Sequence, residues 1–432
     1  MTSSPTAGHA VAQRGCATDL RSPVRSAAAR RPGDTVDTAA LKQTWALAQS
    51  LGDEVPLFFY SHLFLSHPEL RSMFPVSMAT QRDRLVGALG RIVSSVDELD
   101  EVTDFIQQLG RDHRRFEVIA AHYNAVGASL LATLKHFLGE RWTPEVAADW
   151  AEAYGIIATV MVQAAEASED SSPSSWPAEV TAVERRGLDI SVIQVRPEPH
   201  LPFEPGQSVA VEIPARPRLW RYLSPANAPR PDGSIEFHVQ LVPGGQVSST
   251  IVRSLQVGET VRLGAPVGQE LTLDEDERHR DLIMVAGGTG LAPLRAHLER
   301  IDKEWQSTGQ APRVQLFHGA RLPWSLYENR LLQNLAGRPW FTYTPVVSDD
   351  PSYPGRKGWV GDAAAESGPL HGLLALVCGS PQMVRHTVSR LRARGIAQTD
   401  IRFEQFATLD EDSHAMHHHT HDAQSSRLPH SE

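Results

Sequence analysis

The sequence predicts a multidomain protein in three folded parts: an all-α unit, an antiparallel β-barrel, and an α/β unit on a doubly wound parallel sheet. Three observations carry that prediction. Between Asp37 and Ala167 apolar residues recur at three- and four-residue spacing, the period of an amphipathic helix. Beyond the breaker-rich stretch 169–177 the period drops to two, with Gly and Pro turns between short runs. From Arg280 to Phe406 short apolar runs alternate with helical ones, the pattern of βα units around a parallel sheet. A chain of 432 residues is also too long for one ordinary core, and about three domains is the expectation from length.

In the first part the stripes are set by Leu41, Trp45 and Ala48, then by Val55, Phe58, Phe59, Leu63 and Phe64. Pro56 and Pro68 fall near helix starts, where a missing N–H is tolerated. Further helices are expected over 124–138 and 144–165. Strands are expected over 208–213, 235–241 and 260–263, and then over 282–286, 314–318, 341–346 and 373–377. The divisions that follow are 1–36, 37–168, a linker at 169–177, 178–276, 277–406 and 407–432. The two terminal stretches are expected to be disordered. The first holds five arginines, no lysine and only Asp19 and Asp34 as acids, a composition shared with organellar transit peptides. Nothing else points to an organelle, so it is read as an extension of a cytoplasmic protein. The run His414-Ala-Met-His-His-His-Thr-His421 would take up stray metal, but is read as a solvated tail without function.

A formal charge of -10 disfavours a nucleic-acid partner. Cys16 and Cys378 are the only cysteines, so no disulfide framework is expected and a reducing compartment fits. No apolar run reaches the length of a membrane span, and no obligate protein partner is evident.

The chemistry begins at Leu282–Ala286, an apolar run feeding Gly287, Gly288 and Gly290 and then an amphipathic run from near Pro293. A strand, a glycine turn and a helix N-terminus make a cradle for the pyrophosphate of a dinucleotide. The spacing is not G-x-G-x-x-G, and a plain tight turn is the competing reading. Four other segments accompany it in order: Arg221-Tyr-Leu-Ser-Pro-Ala-Asn227, Pro243-Gly-Gly-Gln-Val-Ser-Ser249, Cys378-Gly-Ser-Pro381 and Phe403-Glu-Gln-Phe406. This set resembles the ferredoxin-reductase superfamily, a β-barrel FAD domain followed by an α/β nicotinamide domain. The resemblance implies that Arg221 neutralises the flavin pyrophosphate and that Ser224 bonds near the reactive flavin edge. Gly244, Gly245, Val247 and Ser248 would bind the FAD phosphates, and Gly287, Gly288, Thr289 and Gly290 the nicotinamide pyrophosphate. Cys378 and Gly379 would lie where nicotinamide meets flavin, and Phe406 would cover the flavin face. Cys378 as a buried apolar residue and Phe406 as a core aromatic remain open alternatives. The family's flavin segment reads Arg-x-Tyr-Ser; here Leu223 holds the tyrosine position and Tyr222 stands one place early, which implies altered flavin affinity or potential.

In the helical part, Phe58-Phe-Tyr60, Pro68-Glu-Leu70, Phe74-Pro75, Gly110-Arg-Asp-His-Arg-Arg-Phe116, His122-Tyr-Asn-Ala-Val-Gly127 and Trp150-Ala-Glu-Ala-Tyr-Gly155 follow one another. Their order resembles the globin domain of flavohaemoglobins, and with the reductase segments the resemblance runs from about residue 37 to 406. It implies that His113 is the proximal ligand to haem b iron, with Tyr123 behind it to orient or polarise it. Tyr60 would be the distal hydrogen-bond donor, Gln81 its helper, and Phe74 a packing partner of the porphyrin. Two departures stand out: Asp112 precedes His113 where the family has lysine, and the family's proximal glutamate aligns near Ala165, with Glu166 one place off. Taken singly, His113 reads as a surface histidine and Tyr60 as a core tyrosine.

The resemblance implies a nitric oxide dioxygenase in which NAD(P)H reduces FAD, FAD reduces haem, and haem-bound O2 oxidises NO to nitrate. The open alternatives are a haem-containing NAD(P)H oxidase or reductase with another acceptor, and an O2- or NO-sensing globin. Arg321 and Ser325 would meet a 2′-phosphate, although Arg321 reads equally well as an ordinary surface charge.

Overall fold

A computed structural model describes residues 36–96, 99–169 and 172–405. Phe406, Cys16, the first thirty-five residues and the histidine-rich tail lie outside the described residues.

The first part is helical throughout: α1 (Thr38–Gln49), α2 (Glu54–Ser66), α3 (Ala79–Ser94), α4 (Leu99–His113), α5 (Ala120–Leu138) and α6 (Pro144–Ala167). Local chemistry sets the starts. The Asp37 carboxylate accepts the Ala40 N–H at the head of α1, and Thr143 accepts that of Val146 at the head of α6, where Pro144 takes the first helical position. Leu41, Trp45 and Ala48 form the buried stripe of α1, and Trp45 meets Trp150 of α6 at 6.3 Å between ring centroids. Two glycines set the close helix crossings. A Cβ on Gly110 of α4 would lie 2.3 Å from the Met161 carbonyl oxygen of α6, and one on Gly127 of α5 would lie 2.5 Å from the Tyr154 ring.

The second part holds β1 (Trp176–Arg185), β2 (Ile190–Pro197), β3 (Ser208–Glu212), β4 (Arg221–Leu223), β5 (Ile235–Gln240), α7 (Gln246–Ser254) and β6 (Thr260–Val267). The six strands form one antiparallel sheet in the order β4-β3-β6-β1-β2-β5. Its two ends meet again at the Pro225–Phe237 bridge, which curls the sheet towards a barrel. The start differs from the sequence expectation. Trp176 and Pro177 belong to β1 rather than to a linker, because Trp176, Ala178 and Val180 alternate inward and Pro177 takes an exposed position at the strand's start.

The third part follows as β7 (Leu282–Gly287), α8 (Leu291–Thr308), β8 (Val314–Ala320), α9 (Asn329–Leu335), β9 (Phe341–Val347), β10 (Arg356–Lys357), α10 (Val360–Ala365), β11 (Leu374–Gly379), α11 (Pro381–Ala393) and β12 (Ile401–Gln405). All six strands are parallel, ordered β10-β9-β8-β7-β11-β12. Both faces are covered. Leu282, Met284 and Ala286 pack under α8, whereas Ile283 and Val285 pack under α10 and α11. Leu271 and Leu273 also sit in the α8-side core, so this unit's packing begins before residue 277. The strand order reverses between β7 and β11, the crevice where open α/β sheets bind ligands. Among the described residues no helix is long and apolar enough to cross a membrane.

Candidate functional site

A cavity of about 1230 Å³ joins all three parts. Its walls include Arg221, Leu223 and Ser224 of the barrel, Gly287 to Thr289 of the sheet switch point, and Leu109 and Asp112 of α4.

On the barrel side, Arg221 and Leu223 lie on β4, Ser224 follows it, and Gly245, Val247 and Ser248 line the cavity at the head of α7. Gly244 adopts φ 77°, the left-handed turn that aims the helix N-terminus. A Cβ on Gly245 would press within 2.6 Å of Ser248 Oγ and 3.1 Å of the Val242 carbonyl oxygen. A turn of bare backbone at a helix N-terminus beside an arginine suits a pyrophosphate, so these residues fit FAD. Leu223 offers a half-buried apolar side chain backed by the barrel core, but no ring and no hydroxyl. Tyr222 lines the cavity too, but its hydroxyl is engaged by Asp112 and Arg115 of the helical part.

Ser224 brings in two residues that the sequence reading gave no role. Ser208 Oγ lies 3.2 Å from Ser224 Oγ and donates to Glu404 Oε1 at 3.0 Å. Glu404 was visible in the Phe403-Glu-Gln-Phe406 segment; Ser208, at the first position of β3, carries no signal in its surroundings.

The glycine cradle is tightly built. A Cβ on Gly290 would lie 2.3 Å from the Cys378 carbonyl oxygen, and Gly288 holds φ 54° while its carbonyl accepts His318 Nε2–H at 3.1 Å. Burial brings His318 down to about 4, so the ring is neutral and that donor is retained at pH 7. Gly290→Ala is expected to force β7 and β11 apart, costing about 1–3 kcal/mol as overpacking does. Stopped-flow flavin reduction by NADH should then slow sharply, and a wild-type rate would remove Gly290 from the cradle. Cys378 is wholly buried, yet near enough to feel the charge of Glu404 on the cavity wall. Its side chain packs with Leu374 and Leu376 in the α8-side core, because alternate residues of β11 face that way, and burial drives its thiol pKa well up. Gly379 follows it and closes against Gly287, its absent Cβ position 3.2 Å from the Gly287 Cα.

Charged side chains lace the two reductase parts together. Glu236 of β5 pairs with Arg295 of α8 at 2.8 Å, Arg230 with Glu299 at 3.1 Å, and Arg186 with Glu328 at 3.5 Å. Burial alone would raise the Glu236 carboxyl; the His238 hydrogen bond and the Arg295 charge outweigh it and hold the group at about 2. Arg321 is 85% exposed and pairs with Asp349 at 2.8 Å, both on the cavity wall with Ser325.

In the helical part, His113 ends α4 and its Nδ1–H donates to the Leu109 carbonyl at 2.6 Å. That bond turns Nε2 into the free acceptor, the form that ligates a metal. Burial lowers the His113 pKa, so the ring is neutral at pH 7. Tyr123 lies beside it at 6.5 Å between ring centroids, its phenol pushed up to about 12 by burial. The carbonyl of Leu109, rather than Tyr123, fixes the ring, and Tyr123 is itself held by Tyr154 Oη donating to its carbonyl at 2.6 Å. Glu166 is exposed near the end of α6, with the half-buried Ala165 before it. Tyr60 is buried among Phe59, Phe64 and Phe74, and its hydroxyl donates to the Gln81 carbonyl on α3 at 3.2 Å. Burial pushes its pKa upward, partly offset by Gln81 and Arg84, so it remains a proton donor. The apolar side chains here form two clusters: one holds Tyr60 with Phe74 and Leu85, the other Met161 with Leu109 and Tyr123. Both are edged by half-covered hydrophobics. Two apolar walls with a neutral histidine at one and a phenol at the other fit haem.

Comparison with known proteins gives three family matches in chain order: Globin over residues 57–161, Oxidoreductase FAD-binding domain over 179–270, and Oxidoreductase NAD-binding domain over 284–389. The chain is 35% identical over 226 residues to the phenol 2-monooxygenase reductase component DmpP of a Pseudomonas species, covering 51% of this chain and 62% of that one. It is 23% identical over 400 residues to a flavohemoprotein of Oceanobacillus iheyensis, covering 87% and 97%. Its fold matches that of a flavohemoglobin from Malassezia yamatoensis at a TM-score of 0.69 and 17% identity, over 87% of this chain and 99% of that one.

Proposed function

We propose that this chain is a flavohaemoprotein, an NAD(P)H-dependent oxidoreductase with a globin, an FAD-binding and an NAD-binding domain, and that it acts as a nitric oxide dioxygenase. The observation that carries the reading is Tyr60, a buried phenol held as a donor in a haem-binding domain fused to a complete reductase. A sensor needs no nicotinamide site, which counts against the globin-sensor alternative. Its substrates are then O2 and NO, taken in the cytoplasm, where NAD(P)H is at hand.

When bound, FAD accepts hydride from NAD(P)H and passes single electrons to haem, whose iron supplies the O2 chemistry that turns NO into nitrate. The chain's residues arrange that sequence. Gly287 to Gly290 would present backbone N–H groups to the nicotinamide pyrophosphate, while Arg221, Gly245 and Ser248 would hold the flavin's. Ser224, Ser208 and Glu404 form a hydroxyl–hydroxyl–carboxylate line at the cavity wall that can hold a proton near the flavin edge. Leu109 keeps His113 in the ligating tautomer. Tyr60, whose hydroxyl donates to the Gln81 carbonyl, would be the donor available to a negatively charged haem ligand. The apolar walls around it exclude water.

The test is direct: supplied with NADH, O2 and NO, the purified protein should consume NO and release nitrate in stoichiometric amounts. NADH oxidation at an undiminished rate with no NO loss would replace this reading with that of an oxidase using another acceptor.

A further inference from the structure

Two departures from the pattern this chain otherwise follows lie far apart in sequence: Asp112 immediately before His113, and the tyrosine of the Arg221–Ser224 segment placed one residue early. In the fold they meet. Tyr222 Oη donates to Asp112 Oδ2 at 3.3 Å, and Arg115 Nη2 donates to the same phenol oxygen at 3.2 Å. The proton directions are forced, since a guanidinium only donates and a carboxylate only accepts. The other carboxylate oxygen, Asp112 Oδ1, receives Gln108 Nε2 at 3.2 Å and Arg115 Nη1 at 3.5 Å.

Arg115 makes this more than a surface contact. It is 8% exposed, and its guanidinium carbon stands 5.0 Å from the Phe116 ring and 5.5 Å from those of Trp220 and Tyr222. A buried cation between aromatic faces of two domains holds one orientation only while its carboxylate partner stays in place. Desolvation raises the Tyr222 pKa and the Asp112 charge raises it further, so the phenol keeps its proton. Tyr222 lines the flavin cavity between Arg221 and Leu223, and Asp112 lines it from α4; directly after Asp112 comes His113.

We propose that Asp112, Arg115 and Tyr222 form a latch that fixes the register between the His113 end of α4 and the flavin-side strand β4, and so the distance over which electrons pass from flavin to haem. The inference rests on the reading of the chain as a flavin-to-haem electron carrier. In the step concerned, reduced flavin loses one electron and the haem iron gains it, with NAD(P)H as the source. The three side chains are positioning residues. The hydroxyl of Tyr222, not its ring, does the coupling, and the mismatch of each departure with the family pattern is resolved by the other.

The experiment uses the holoprotein with Tyr222→Phe, Asp112→Asn, the double variant and Asp112→Glu. Flavin and haem reduction are followed separately after anaerobic mixing with NADH, and hydrogen exchange is read over residues 105–116 and 219–225. Flavin reduction is expected to stay close to the wild-type rate in every variant. Haem reduction should slow about tenfold in each of Tyr222→Phe and Asp112→Asn, with the double variant no slower than the slower single, because either change opens the same latch. Asp112→Glu should recover most of the rate, and exchange should quicken in both segments together. Wild-type haem reduction in both singles, slowing that multiplies in the double variant, or faster exchange confined to the mutated segment would each overturn the proposal. A wild-type protein that transfers no electrons from flavin to haem would sink the functional reading instead, and the exchange pattern would still decide whether the latch exists.

Discussion

Alanine at position 113 should leave a yellow protein: the Soret band lost, the FAD retained. The neutral imidazole, locked by its bond to the Leu109 carbonyl, is the group proposed to give a lone pair to haem iron. Without it haem keeps only apolar contacts with the walls around Phe74 and Leu109, and the haem-to-FAD ratio of purified protein should fall from near one towards zero. The flavin set of Arg221, Gly245 and Ser248 lies in another domain and should not notice. The pKa shift sets the pH behaviour of the wild type. Burial holds the folded His113 below the ordinary value of 6.5, so the ring stays unprotonated as pH falls through 6.5, and haem should remain bound into mildly acidic solution. A His113→Ala protein that retains histidine-ligated haem by resonance Raman would refute the assignment.

The second large effect is at Tyr60. Phenylalanine keeps the ring between Phe59, Phe64 and Phe74 and removes only the donor. A hydrogen bond to a charged acceptor is worth about 1.5–3 kcal/mol, so NO turnover should fall roughly tenfold to a hundredfold. Reduction of FAD by NADH should be unchanged, since the phenol lies in the haem domain and its bond runs to Gln81 of α3. Wild-type NO turnover in Tyr60→Phe would take the tyrosine out of the mechanism.

The helical run, the barrel strands β3, β5 and β6 and the parallel strands β7, β8, β9 and β11 were legible in the sequence. The misses have physical reasons. β4 is three residues long, too short for any alternation, and β1 hides behind a Trp-Pro pair that resembles a linker. β2 buries both faces over its first four residues, so no alternation appears there. In the site, glycine positions were readable because a backbone that must approach closely admits no side chain, as at Gly290. The Leu109 carbonyl was not readable, since any residue supplies one. The line from Ser224 through Ser208 to Glu404 spans 196 residues between its last two members, and only the folded chain brings them together. For Cys378 the parity of β11 is uninformative in sequence, because a parallel sheet covered on both sides is apolar at every position.

The charged pairs laced between barrel and sheet have a consequence for how the enzyme opens. Glu236 and Glu328 are almost fully enclosed, and both depend on arginines donated across the boundary or along it. Swinging the two reductase domains apart would take Arg295 from Glu236 and Arg186 from Glu328, and would leave each carboxylate one arginine of its own domain, Arg230 at 3.5 Å and Arg295 at 3.6 Å. The seam therefore turns on Arg295, the one side chain that serves both enclosed acids.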